Sequence, residues 1–89
     1  MLVAKAQHEN GSIEIWDDGN VSFTPSESTS IAWVHHDGKD MVVQYKSSPK
    51  YYRYLGVPYT ALLKVMNAES AGKFIASEIK PNYEFEAFS

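Results

Sequence analysis

The chain has 89 residues, no cysteine, 13 % aromatic and 44 % hydrophobic residues, and a formal net charge of −3. Folding at this length buries about 64 % of the unfolded surface, enough for one thin core, which excludes a bilobed enzyme with an interdomain cleft. Without cysteine there is no disulfide framework, thiolate zinc site or cysteine nucleophile, so packing of six Tyr, four Phe and two Trp must carry stability. The start, Met1 to Glu9, meets charge too early for a signal-peptide core, and no apolar run reaches membrane-spanning length. The expectation is a cytoplasmic protein with no membrane partner.

In chain order, Asn10-Gly11, Asp18-Gly19 and Asp37-Gly38 supply the positive-φ residues that tight hairpins demand, and predict a meander. Between the turns, apolar residues alternate. Ile13 and Ile15 oppose Ser12, Glu14 and Trp16; Val21 and Phe23 repeat the pattern; Met41, Val43 and Tyr45 oppose Val42, Gln44 and Lys46. Tyr52 and Tyr54 then share one strand face, with Tyr51 and Arg53 on the other. After Gly56-Val57-Pro58 the period becomes helical. Tyr59, Leu62, Leu63 and Met66 predict one helix, and Ala71, Phe74, Ile75 and Ile79 a second between an N-cap at Ser70 and a stop at Pro81. Tyr83 and Phe85 alternate as a last short strand. The fold class expected is α+β: an antiparallel meander of five to six strands with two short α-helices on one face.

Charge is uneven along the chain. Residues 1–27 set Lys5 against Glu9, Glu14, Asp17, Asp18 and Glu27, a net of −4, whereas residues 28–80 carry seven cations and four acids, a net of +3. The expected organisation is a single domain, 1–89, with an N-terminal β-hairpin extension over 1–27 and a core over 28–85. The Pro25 to Ser30 stretch is a connection and not a boundary.

From Ser28 to Val34, then Met41-Val42-Val43-Gln44-Tyr45 and Tyr52-Arg53-Tyr54-Leu55-Gly56-Val57-Pro58, the sequence resembles the KTSC domain. That family is named for its occurrence at the C-terminus of some lysyl-tRNA synthetases. The match continues through Leu62, Ser70, Gly72 and Phe74 to Phe85. Where the family usually has an aromatic, this chain has His36; where it has asparagine, the chain has Ala76. The resemblance implies kinship with small free-standing bacterial and phage proteins, and RNA binding has been suggested for the family.

The residues themselves separate two binding hypotheses. The outward pair Tyr51 and Arg53, with Lys46 and Lys50 beside them and Tyr54 on the neighbouring position, suits a short single-stranded nucleic acid or a nucleotide, through ring stacking and phosphate neutralisation. A pI near 5.5 argues against strong duplex binding. Alternatively Trp16, Asp17 and Asp18 form a protein-contact spot, as in a phage or mobile-element effector that inhibits a host protein. A homodimer through a sheet edge is a further partner expectation. No catalytic constellation, metal site or cofactor is expected: His35 and His36 are adjacent in a strand and point to opposite faces, and Pro58 denies the Gly56 turn a phosphate-cradling amide.

Overall fold

The computed structural model describes residues 1–89, which form a seven-stranded antiparallel sheet in strictly sequential order. The strands are β1 (Leu2–His8), β2 (Gly11–Trp16), β3 (Val21–Pro25), β4 (Ile31–His36), β5 (Met41–Tyr45), β6 (Tyr51–Tyr54) and β7 (Phe85–Phe88). Helix α1 (Tyr59–Asn67) and a short α2 (Ala71–Phe74), which runs on as a π-helical segment (Ile75–Ile79), come between β6 and β7. The fold is therefore α+β, with a strand more than the upper expectation.

One sheet face packs on the helices. Phe23, Val34, Met41, Val43 and Tyr54 meet Leu62, Val65, Ile75 and Ile79 in a single core, with Ile13 and Val21 packed against it. The N-terminal extension is thus three strands, not a hairpin, and Phe23 at 1 % exposure makes it part of the core. Pro58 stands at the N-cap of α1 in extended conformation, one residue before the first helical position. The buried stripe of α1 is Ala61, Leu62, Val65 and Met66; Leu63 and Tyr59, expected to face the core, are turned outward. Tyr59 Oη instead donates to the Gly19 carbonyl, and Asn10 Nδ2 donates to the Met66 carbonyl at 2.8 Å. The helix is thereby tied at both ends to the N-terminal turns. Ser70 caps α2 by accepting the Lys73 N–H.

Two of the three expected positive-φ turn glycines have that conformation, Gly19 and Gly38, together with Gly56. Gly11 does not. It opens β2 where a Cβ would lie 2.2 Å from the Thr24 carbonyl oxygen, so close approach of β3 is what excludes a side chain there.

His36 is fully buried, its ring 4.2 Å from that of Tyr59. Nδ1 accepts the Gly38 N–H and Nε2 donates to the Val57 carbonyl, so the imidazole serves as a neutral core residue. His35 lies on the opposite face, as strand parity requires.

Candidate functional site

The sheet face away from the helices is open, and the register sorts its side chains into two rows. A polar row crosses six strand boundaries: Lys5 opposite Glu14, then Ser22, His35, Val42, Arg53 and Glu86. Beside it Trp33, Gln44, Tyr51 and Phe88 face one another in turn. Trp16 stands on the far side of the polar row, at the end of β2. The result is a shallow slot of about 590 Å³ with Trp16 on one wall, Trp33, Tyr51 and Phe88 on the other, and Ser22, His35 and Val42 in its floor.

The rings hold one another in place. Trp33 and Tyr51 have centroids 5.5 Å apart, Tyr51 and Phe88 5.4 Å, and Trp16 and His35 5.9 Å. Such tilted pairs add modestly to the area they bury. Arg53 is equally constrained. Its Nη1 lies 3.1 Å from Asp37 Oδ2 and 3.6 Å from Asp40 Oδ2, and its guanidinium covers the Phe88 ring at 5.6 Å. Asp40 Oδ1 in turn accepts the Gly56 N–H at 2.9 Å. Burial alone would raise the Asp37 carboxyl; the amides of Asp40 and Lys39 and the Arg53 guanidinium outweigh it and hold the pKa below the ordinary value. Arg53 therefore spends much of its charge inside the protein.

His35 Nδ1 and Ser22 Oγ are 2.6 Å apart. Burial pushes the imidazole pKa down, against the opposing pull of Asp37 and Asp18. Nε2 makes no bond within the chain, yet no buried polar side-chain atom lacks a partner, so this nitrogen is reached by solvent from the slot.

The residues singled out in the sequence divide accordingly. Tyr51, Arg53 and Trp16, assigned to two rival surfaces, line one slot. Lys46 and Lys50 do not. Lys46 Nζ donates to the Ser28 carbonyl at 2.6 Å, and Lys50 sits at the turn before β6, whose fold is pinned by Gln44 Nε2 on the Ser48 carbonyl. Tyr54 is corrected from ligand contact to core: it is fully buried, and its hydroxyl lies 2.8 Å from that of Tyr45. Asp17 takes the Met1 ammonium at 2.6 Å and Asp18 accepts the Asn20 N–H, so both carboxylates are turned to local partners. Trp33, His35, Ser22 and Phe88 were not anticipated. Parity alone would have put Trp33 and His35 beside Tyr51 and Arg53, given the β4–β5 register; Phe88 lay beyond the expected last strand.

The KTSC domain profile matches residues 27–83, more than half the chain, and this protein belongs to that family. No curated protein matches the sequence. Trp16 and Phe88, one on each wall, both lie outside the matched residues. No helix is long and apolar enough to cross a membrane.

Proposed function

We propose that this protein is a non-enzymatic, cytoplasmic binding module whose open sheet face holds a nucleotide-like ligand or a short single strand, with the base against the slot's rings. The observation that carries this reading is the pair of aromatic walls flanking a hydrogen-bonding floor. Base–aromatic stacking contributes about 1–3 kcal/mol per base and does not require a basic surface. With Arg53 shared between Asp37 and Asp40, ring contact and not charge supplies the affinity, and salt dependence is shallow, on the order of the −0.7 slope of a single phosphate contact.

The test is titration of tryptophan fluorescence with nucleotides and with short RNA and DNA at low and moderate salt. Tyr51→Ala weakens binding at least about fivefold, the lower end of one stacking contact; Arg53→Ala has a smaller effect that fades with salt. If wild type binds none of these ligands, the reading is overturned.

A second reading, a protein-interaction module, is favoured by half-buried Trp16 and exposed Phe88, two aromatics contributed from outside the family region. Its signature is a host protein retained by wild type and released by Trp16→Ala in the absence of nucleotide.

A further inference from the structure

We propose that His35 is the anion-receiving group of the slot, taking up a proton when a phosphate-bearing ligand binds, so that affinity is coupled to pH. This deepens the nucleotide-like reading and rests on it.

The placement of donors carries the argument. Aromatic walls stand on both sides of the polar row, so a ligand whose base meets either wall brings its phosphate over the floor. There the Ser22 hydroxyl and the His35 ring lie 2.6 Å apart, with Nε2 open to the slot; the lining also holds the Thr24 hydroxyl and the Glu14 carboxylate, the latter 3.9 Å from Lys5 Nζ. Arg53 is two strands away, about 10 Å at ordinary strand spacing, and engaged with Asp37 and Asp40. Lys46 and Lys50 lie outside the lining. His35 is thus the one group in the floor that can acquire positive charge where the anion sits.

The titratable and charged groups around His35 come from five places. Glu14 on β2 is opposite Lys5 on β1, with Nζ and Oε2 3.9 Å apart; Asp18 approaches from the β2–β3 turn; Asp37 follows β4, whose buried His36 is turned to the other face; Arg53 comes from β6. Asp37 is already committed to Arg53 and two backbone amides. In the free protein burial therefore prevails and holds the ring's pKa below its ordinary value. A bound phosphate adds an uncompensated negative charge beside Nε2, which favours the imidazolium. By linkage, a ligand that raises the pKa binds more tightly as pH falls.

The probe is the dinucleoside monophosphate ApA, whose single diester charge does not titrate between pH 5 and 8, with adenosine as the uncharged control. ApA affinity for wild type is expected to rise about threefold to tenfold from pH 8 to pH 5.5, the latter corresponding to a pKa change of one unit. Adenosine affinity does not rise, and His35→Gln, checked for an unchanged melting temperature at pH 8, abolishes the ApA dependence. In unmutated protein, the NMR titration of the His35 Hε1 resonance moves to higher pH on saturation with ApA. Binding of ApA that is independent of pH, or a dependence that survives in His35→Gln, overturns the assignment while leaving the slot reading intact. Failure of both ApA and adenosine to bind at any pH overturns the slot reading, and this inference with it.

Discussion

At Gly11 and Gly72 an added methyl would come equally close to a neighbour, 2.2 Å in each case, yet the two positions differ in what can yield. Opposite Gly11 stands the Thr24 carbonyl, backbone fixed in the β2–β3 pair, with the Phe23 ring at 2.8 Å. Opposite Gly72 stands the Ser30 hydroxyl, which one rotation of χ1 removes, leaving contacts of 3.6 and 3.8 Å. Gly11→Ala is therefore expected to cost about 3 kcal/mol by overpacking, lowering Tm by more than about 10 °C for a domain of this size. Gly72→Ala is expected to change stability by less than about 1 kcal/mol, because helix propensity then favours alanine. Equal melting temperatures for the two variants would contradict this account. The part-buried Tyr45–Tyr54 hydroxyl pair allows a second comparison. Tyr45→Phe or Tyr54→Phe alone strands one hydroxyl, at about 1–3 kcal/mol, while the double variant recovers part of the loss; additive losses in a denaturant double-mutant cycle would show that the hydroxyls do not depend on each other.

Among the elements, α1 is held by contacts at its two ends as well as by its apolar stripe. Asn10 Nδ2 satisfies the Met66 carbonyl, one of the last-turn acceptors that no helical N–H reaches. Asn10→Ala should cost about 1 kcal/mol and speed amide exchange in the last turn of α1 ahead of β4 and β5; uniform acceleration would instead mean that this turn opens only with the whole molecule. The central strands were legible in the sequence because Met41 and Val43, or Tyr52 and Tyr54, recur at every second position and do pack into the core, although Val42 on the other face is buried as well. The edge strands were not. Along β1, Leu2 to Gln7 are all exposed, and so is all of β7, so neither carries a burial period to read. The face of α1 was half misassigned for a related reason: Leu62 and Met66 are buried as expected, Tyr59 and Leu63 are not. Leu63 and Tyr59 fit the helical period as well as Val65 does, and only the position of the N-terminal strands decides which stripe is covered. Tyr51, Arg53 and Trp16 could each be placed outward by parity, but their meeting in one slot depends on register across β2 to β6. The lysines failed because the β5–β6 turn and the Ser28 carbonyl direct them elsewhere.

For the whole molecule, ionisable groups on the two sheet faces set opposite limits to the stable pH range. His35 has a folded pKa below the 6.5 of the free side chain. As pH falls through 6.5 the unfolded chain takes up the proton first, and stability is lost until the folded value is passed. Asp37, depressed below 3.8, adds stability that is present above that value and lost as pH falls through its folded pKa. Tyr45 and Tyr54 are raised above 10.0, chiefly by burial, so stability is intact below pH 10 and declines above it, where the unfolded chain releases protons that the fold retains. Thermal melts from pH 3 to 11 should show a plateau between about pH 7 and 9.5. His35→Gln removes the first step on the acid side, and the double Tyr→Phe variant removes the alkaline decline. A plateau extending unchanged to pH 11 in wild type would refute the assignment of the alkaline limb.

The sequential strand order has a consequence for how the slot comes into being. Each strand pairs only with its neighbours in strand order, so assembly from β1 to β6 can proceed by successive local additions with little loop-closure entropy, while β7 joins across the helical connection of residues 55–84. The walls, however, are carried by β2 at one end and by β4, β6 and β7 towards the other. A partial meander of β2 to β4 already sets Trp16 opposite Trp33, but Tyr51 and Phe88 join the second wall only when β6 and β7 are in place. A ligand touching Trp16 together with Tyr51 or Phe88 would thus favour the completed sheet and join strands that never pair directly, making nearest-neighbour steps more cooperative.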